Sequence, residues 1–229
     1  MRSPVRPKGA PVSANGTAAA RAAVLGAAQE LSARGLVEGT SGNVSARVDD
    51  RLVCVTPSSL AYDAMTLDDL VLVDIDGAVV EGERTPTTEK ALHLACYRAY
   101  PEIGGVIHSH PVYATMFALA RQPIPAAIEE VAVYIGGDIP VCDYVMTGTD
   151  ELGEAVALRL KDRAATLLAN HGMVTVGATP ERALHAALVV ERTAHIVWGA
   201  RLLGATHDLP PKVNEDFGGV YRFVRDQRM

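Results

Sequence analysis

Apolar residues along the chain recur at two spacings, one typical of helices and one typical of strands. Helical spacing covers residues 18–34, where Thr17 is expected to cap the first turn. Thr179-Pro180-Glu181 places a capping residue before a proline, which predicts a helix that continues to about Leu203 and ends at Gly204. The same criteria predict three more helices, over residues 86–100, 111–121 and 149–163.

Extended segments are predicted between these helices. Residues 51–56 alternate in polarity, and Asp76-Gly77 separates two apolar runs between residues 70 and 80, which predicts a β-hairpin. Further extended segments are expected over residues 104–110, 128–145 and 165–176, the last as two strands that meet at His171-Gly172. Because strands and helices are intermixed, we expect a single three-layer α/β/α domain with a mainly antiparallel central sheet.

The two ends of the chain differ from the middle. Residues 1–17 are rich in proline, glycine and small side chains, and we expect a disordered arm there. Residues 18–205 form the predicted domain. Residues 206–229 have little periodicity but carry three aromatic residues, so we expect a tail that completes the site or a subunit interface.

Composition narrows the range of functions. The 229 residues carry a net charge of −6 and no basic patch, which disfavours nucleic-acid binding. No apolar run reaches the ~18 residues that a membrane helix needs. The three cysteines lie far apart without a Cys-x-x-Cys pair, which is typical of buried thiols in a reducing compartment. We therefore expect a cytoplasmic protein without a membrane partner.

Three of the seven histidines stand out by their spacing. In a strand, residues two apart point to the same face, so His108 and His110 can reach one metal ion. His171 follows another apolar run and precedes a glycine. Three imidazoles suit Zn²⁺ with one position open for substrate, and Mn²⁺ or Co²⁺ are alternatives. We expect ordinary surface or core positions for the other four histidines, which are His93, His185, His195 and His207.

Hydroxyl- and glycine-rich segments offer places for a carboxylate base and for an anion. Glu89 lies at a predicted helix start, where it either acts in chemistry or only complements the helix dipole. Backbone N–H groups at a helix start also favour anions. The candidate phosphate-binding residues come from three separate segments and are Gly42, Asn43, Ser58, Ser59, Thr87 and Thr88.

Five segments together resemble the class II aldolase/adducin family, and within it the members that cleave ketose 1-phosphates of the L-fuculose 1-phosphate type. In order they are Gly39-Thr40-Ser41-Gly42-Asn43-Val44-Ser45, Val55-Thr56-Pro57-Ser58, Pro86-Thr87-Thr88-Glu89, His108-Ser109-His110-Pro111 and Leu168-Ala169-Asn170-His171-Gly172. The resemblance extends over about residues 18–205.

This resemblance implies a zinc-dependent carbon–carbon lyase acting on a small sugar phosphate, usually as a homotetramer with active sites between subunits. It assigns the metal to His108, His110 and His171 and the acid/base role to Glu89. It assigns the phosphate of dihydroxyacetone phosphate to the hydroxyl- and glycine-rich segments.

The sequence departs from the family where a tyrosine from a neighbouring subunit is expected. Glu129-Glu130 stands at that position, which makes Glu130 the candidate for proton transfer, and Tyr221 is a candidate for a C-terminal tyrosine. The same fold hosts sugar-phosphate 4-epimerases, dehydratases and decarboxylases, and a non-catalytic adducin-like module. These remain alternatives, although such a module has no need of three histidines and the glutamate.

Overall fold

A computed structural model describes residues 14–204 and 206–226. Eight strands in this part of the chain form one sheet in the order β4-β3-β2-β1-β5-β8-β7-β6. The strands are β1 (Asn43–Arg47), β2 (Leu52–Val55), β3 (Val71–Asp74), β4 (Val79–Glu81), β5 (Gly105–Ser109), β6 (Val141–Cys142), β7 (Ala165–Leu168) and β8 (Gly172–Gly177). Only β6 and β7 pair in parallel, which confirms the predicted antiparallel character.

Helices cover both faces of the sheet and give the predicted three layers. They are α1 (Ala14–Ala33), α2 (Lys90–Ala99), α3 (Val112–Ala120), α4 (Glu129–Tyr134), α5 (Asp150–Arg159), α6 (Pro180–Leu203) and α7 (Pro211–Asp226). One buried cluster lies under α1, α3 and α6, and the other lies under α2 and α5. Val44 and Ala46 are two residues apart on β1 and point to the same face of the sheet. Both belong to the first cluster.

Several predicted boundaries agree with the structure because local chemistry sets them. Thr179 accepts a hydrogen bond from the Arg182 N–H and caps α6, which ends at Gly204 as predicted. The hairpin of β3 and β4 turns at Asp76-Gly77, where Gly77 has a φ of 93°. Gly has no Cβ and adopts this left-handed conformation without strain.

Other boundaries were predicted wrongly. The first helix begins at Ala14, so Thr17 lies inside it instead of capping it, and residues 1–13 of the predicted arm lie outside the described residues. Residues 128–145 are not all extended, because Glu129–Tyr134 form α4. The C-terminal segment forms α7, which packs on α4, although its amphipathic spacing was read as aperiodic. Gly218 is buried in α7 and lies near the Gly136 carbonyl.

Candidate active site

The three singled-out histidines converge at one end of the central strands. The Nε2 atoms of His108 and His110 are 2.8 Å apart, and those of His108 and His171 are 3.2 Å apart. One ring nitrogen from each of the three residues lies within 4.8 Å of the others. This confirms the predicted cluster, which joins residues 63 positions apart in sequence.

Backbone geometry at the turn between β7 and β8 brings His171 to the other two. Asn170 has a φ of 59°, and its side-chain oxygen accepts a hydrogen bond from Arg121 at 2.7 Å. A Cβ on Gly172 would lie 2.5 Å from the Ser109 carbonyl oxygen and 2.6 Å from Cδ2 of His110. Glycine at this position therefore lets the His110 ring lie directly against the turn.

The imidazoles are held in the neutral form that binds metal ions. Burial lowers the pKa of His108 well below its usual value, and the neighbouring His171 and His110 lower it further. Burial is also the main cause of the lowered pKa of His110 and of His171. The Nδ1–H of His108 donates to the Met173 carbonyl at 2.9 Å, which leaves the Nε2 lone pair directed at the cluster.

Glu89 faces the histidines. Its Oε2 lies 3.2 Å from Nε2 of His108, and its Oε1 lies 3.7 Å from Nε2 of His171. The helix starts at Lys90 and not at residue 86 as predicted, so Glu89 is its capping residue, yet its side chain makes no capping hydrogen bond. The carboxylate is thus turned from the helix start to the cluster, which argues against a role limited to the helix dipole.

The donor atoms fit a divalent cation. Four-coordinate zinc with Zn–N bonds of about 2.0–2.1 Å separates its nitrogen ligands by about 3.3 Å, close to the observed contacts. Glu89 Oε1 is buried and has no hydrogen-bond partner among the described residues. Neutral nitrogens this close repel each other unless a proton or a cation lies between them. His108, His110 and His171 therefore suit a metal ion, with Glu89 beside it.

The three predicted phosphate-binding segments meet at Thr56, which is buried. Its backbone N–H and carbonyl pair with the Val44 carbonyl and the Thr87 N–H, and its hydroxyl accepts from the Val44 N–H at 3.1 Å. The Ser58 N–H also donates to the Thr85 carbonyl at 2.9 Å. The segments that carry Gly42, Ser58, Ser59 and Thr88 are therefore tied together, although Thr56 itself was not singled out from the sequence.

Individual members of this set differ in exposure. Thr88 and Ser59 are exposed, and Ser58 and Gly42 are half-buried. Thr87 is buried, and its hydroxyl accepts the Glu89 N–H at 3.2 Å. The amide of Asn43 is engaged at both ends, since Nδ2 donates to Glu89 Oε2 at 2.9 Å and Oδ1 faces Nε2 of His93 at 2.5 Å. Asn43 therefore orients the Glu89 carboxylate, and its part in phosphate binding stays a prediction.

The two candidates for the second proton-transfer role lie elsewhere in the chain. Glu130 is exposed on α4, 3.7 Å from Arg192. The Tyr221 hydroxyl is 3.3 Å from Nη1 of Arg225, and its ring lies against Gly136. Neither has a hydrogen bond or ion pair with the histidine cluster within the described residues. Glu130 is expected to act from a neighbouring subunit and Tyr221 to correspond to the family's C-terminal tyrosine, and both roles stay predictions.

One of the remaining four histidines contacts the site, although the sequence predicted an ordinary position for it. His185 packs edge-on against Tyr134, His195 stacks on Tyr113, and His207 is exposed. His93 is different, since it is fully buried and contacts Asn43 behind Glu89. The signal was present in the spacing, because Glu89 and His93 are four residues apart and share one side of a helix start.

Comparison with known proteins agrees with this geometry. Residues 22–198 match the model of the class II aldolase and adducin N-terminal domain. The chain belongs to the class II aldolase/adducin family. A solved L-fuculose 1-phosphate aldolase is similar in structure, with a TM-score of 0.84 at 32% identity, over 92% of this chain and 98% of that one.

Curated relatives in this family carry three different activities at nearly equal identity. An L-fuculose phosphate aldolase from Escherichia coli O6:H1 is 38% identical over 83% of this chain and 87% of its own. A 5-methylthioribulose-1-phosphate/5-deoxyribulose-1-phosphate aldolase from Escherichia coli O45:K1 is 37% identical over 82% and 86%. An L-ribulose-5-phosphate 4-epimerase from Salmonella paratyphi B is 39% identical over 78% and 83%. Identity alone therefore does not select the substrate.

The cysteines and the lengths of the helices are two further features of this class II aldolase family member. Cys54, Cys96 and Cys142 are all free and buried. Burial raises the pKa of the Cys54 thiol to about 12, so that thiol is unreactive. Among the described residues, no helix has the length and apolar character needed to cross a bilayer.

Proposed function

We propose that this protein is a divalent-metal-dependent aldolase that reversibly cleaves a ketose 1-phosphate into dihydroxyacetone phosphate and an aldehyde. The substrate is L-fuculose 1-phosphate or a related deoxyketose 1-phosphate, and the ion is Zn²⁺, with Mn²⁺ or Co²⁺ as substitutes. The observation that carries the proposal is the Glu89 carboxylate, 3.2 Å from His108 at a cluster of three neutral imidazoles. A base beside a cation site is what proton removal next to a carbonyl requires.

In the synthetic direction, Glu89 removes a proton from the carbon next to the ketone of dihydroxyacetone phosphate. A divalent ion held by His108, His110 and His171 would polarise the ketone oxygen and stabilise the negative charge that develops there. The carbon then attacks the aldehyde, and the new alkoxide takes a proton from a second group. In cleavage, that group removes the hydroxyl proton and Glu89 returns a proton to carbon.

The remaining segments of the site position the phosphate. Thr87 and Thr88 precede α2, where N–H groups and the helix dipole favour an anion. Ser58 and Ser59 add hydroxyls from the adjoining segment, which hydrogen bonds to the residues before Thr87. Thr88 and Ser59 are exposed and therefore accessible to a ligand from solvent. Binding by hydrogen bonds agrees with the overall negative charge of the chain.

The second proton-transfer residue comes from another subunit in this proposal. We infer a homotetramer whose active sites lie at subunit interfaces, with Glu130 as donor and acceptor and Tyr221 as the alternative. In the described part of one chain, neither residue has a hydrogen bond or ion pair with the histidine cluster, so we expect their contribution in the site of a neighbouring chain. A cytoplasmic location fits the three free, buried cysteines.

A substrate panel tests the proposal. The zinc-loaded protein is incubated with ketose 1-phosphates and ketose 5-phosphates, and dihydroxyacetone phosphate is measured by its reduction with NADH and an added glycerol-3-phosphate dehydrogenase. We expect it from one or more 1-phosphates, at a rate lowered roughly 10²-fold or more in the Glu89→Gln variant. Conversion of a 5-phosphate into its epimer, without dihydroxyacetone phosphate from any substrate, would show a 4-epimerase instead.

A further inference from the structure

A continuous row of hydrogen-bonded polar side chains, the file, extends from Glu89 into the protein interior. Its members are Glu89, Asn43, His93, Ser45 and Tyr97. Glu89, His93 and Tyr97 recur every four residues along the start and the length of α2, so they share one side of the helix. Asn43 and Ser45 are two residues apart on β1 and share one face of the strand. These two faces oppose each other and interdigitate.

Each neighbour in this file is within hydrogen-bond distance of the next. Asn43 Nδ2 donates to Glu89 Oε2 at 2.9 Å, and Asn43 Oδ1 lies 2.5 Å from Nε2 of His93. Nδ1 of His93 lies 2.6 Å from the Ser45 hydroxyl, which lies 2.8 Å from the Tyr97 hydroxyl. His93 and Ser45 are completely inaccessible to solvent, and Tyr97 is 2% exposed.

The carboxylate fixes the direction of every hydrogen bond in the file. A carboxylate only accepts, so Asn43 must present its NH₂ to Glu89 and its oxygen to His93. That oxygen needs a donor, which makes His93 the Nε2–H tautomer. Nδ1 then accepts from the Ser45 hydroxyl, and Ser45 accepts from the Tyr97 hydroxyl.

The neutral state of the ring supports this single arrangement. Burial, with a smaller contribution from the neighbouring His108, lowers the pKa of His93 to about 3. A neutral imidazole has one donor and one acceptor, which is the pair that Asn43 and Ser45 require. A cationic ring would have two donors, so Ser45 would accept from Nδ1–H and donate to Tyr97, whose own proton would then lack an acceptor in the file.

The inner end of the file is held by the backbone of α2. Nη2 of Arg47 donates to the carbonyls of Tyr97 and Tyr100 at 2.7 and 3.0 Å, and Nε donates to the Ile103 carbonyl at 2.8 Å. Arg47 also lies over the Tyr97 ring, 4.8 Å from its centre. These contacts tie the end of the helix to the same strand, β1, that presents Asn43 and Ser45.

We propose that His93, Ser45 and Tyr97 are positioning residues that hold the Asn43 amide, and through it the Glu89 carboxylate, in the orientation needed for proton transfer with substrate. The inference rests on the proposed aldolase function of Glu89. Because all donors point to Glu89 and the file ends at a buried hydroxyl, it orients the carboxylate and does not carry protons to solvent.

The test compares substitutions along the file by a reaction that isolates the Glu89 step. Dihydroxyacetone phosphate is incubated with zinc-loaded protein in D₂O without aldehyde, and exchange of the carbon-bound proton is followed by NMR. We expect His93→Leu to lower the exchange rate roughly 10²-fold, as a misplaced group does, with KM within about threefold. His93→Gln keeps an N–H near the position of Nε2 and should recover most of the rate.

Tyr97→Phe and Ser45→Ala extend the comparison, and Thr175→Val is the matched control. Thr175 is a buried strand residue whose hydroxyl donates to the Ala183 carbonyl at 2.9 Å, away from the file. Its loss should lower the melting temperature without slowing exchange. Zinc content, measured for every variant, should stay at the wild-type level.

Unchanged exchange in His93→Leu, or slowing in Thr175→Val as large as in His93→Leu, would overturn the proposal. A second measurement does not depend on activity: ¹⁵N NMR of histidine-labelled protein should show His93 as the neutral Nε2–H tautomer. The Nδ1–H tautomer would contradict the file as described. Absence of exchange in wild type, together with the expected tautomer, would remove the aldolase function but retain the hydrogen-bonded file.

Discussion

Asn43 and His108 are directly paired residues on the adjacent antiparallel strands β1 and β5. One strand thus presents the amide that donates to Glu89, the proposed base, and its neighbour presents a predicted metal ligand. Glu89 lies between them, in contact with the Asn43 amide at 2.9 Å and with the His108 ring at 3.2 Å. The register of this strand pair therefore places both residues that contact the Glu89 carboxylate side by side.

Replacement of Glu89 by glutamine should abolish most of the activity. Glutamine keeps the size of the side chain but has no basic oxygen, so turnover should fall by roughly 10²-fold or more. We expect the melting temperature and the zinc content to change little, since three histidines remain. Measurement of dihydroxyacetone phosphate formation checks the prediction, and turnover close to wild type would limit Glu89 to a structural role.

Removal of one histidine should remove the metal. His171→Ala takes away one of three nitrogen ligands, so the purified variant should contain well below one zinc per chain and should be inactive. Dialysis of wild type against a chelator should have the same effect, reversed by added Zn²⁺. His185→Ala is the control, because His185 packs against Tyr134 outside the cluster. Full zinc content in His171→Ala would show that the ion binds elsewhere.

Substitution of Gly42 should disturb the site through the backbone. Gly42 has a φ of 76°, and a Cβ there would lie 2.8 Å from the His108 carbonyl oxygen and 2.7 Å from Cγ1 of Val37. Gly42→Ala should therefore cost about 1–3 kcal/mol of unfolding free energy and lower activity. Gly199→Ala is the matched control, since its Cβ has no neighbour within 4 Å inside α6, and it should stabilise by about 0.5–1 kcal/mol.

Acidification should destabilise the protein through His93. Its pKa is lowered to about 3 in the fold, against about 6.5 when unfolded, so the unfolded state binds one more proton between these values. The contribution of neutral His93 to the free energy of unfolding is fully present above pH ~6.5. It falls by about 1.36 kcal/mol per pH unit as the pH drops towards 3. Denaturant unfolding of the metal-free proteins should show that the free energy of unfolding falls more steeply with decreasing pH in wild type than in His93→Gln. A stability difference that does not vary with pH would contradict it.

Comparison of Glu129→Gln and Glu130→Gln tests the subunit contribution. Both residues are exposed in the first turn of α4, and the Glu130 ion pair with Arg192 contributes little because it is solvated. If one of them transfers a proton in a neighbouring site, its variant should lose more than about tenfold in turnover while the assembled state is retained. If neither loses more than about twofold, the role falls to another residue, with Tyr221 the next to test.

The sequence by itself determined the elements whose ends are set by local chemistry. It also identified residues whose spacing places them on one face of a strand. Thr179-Pro180 started α6 where predicted, because a capping hydroxyl and a fixed φ act within one turn. His108 and His110 predicted a shared face, because strand periodicity fixes the direction of both side chains. Glu89 and His171 were candidates from their places at a helix start and after an apolar run, and the family resemblance assigned their roles.

Only the tertiary structure decided which faces meet. His93 looked like an ordinary core histidine because nothing local shows that Asn43 and Ser45 lie opposite α2, 50 and 48 residues away in sequence. The C-terminal helix α7 has amphipathic spacing, but only the structure shows that it packs on α4 around Gly136 and Tyr221. Long-range packing selects among local conformations of similar energy, and that selection cannot be read from spacing along the chain.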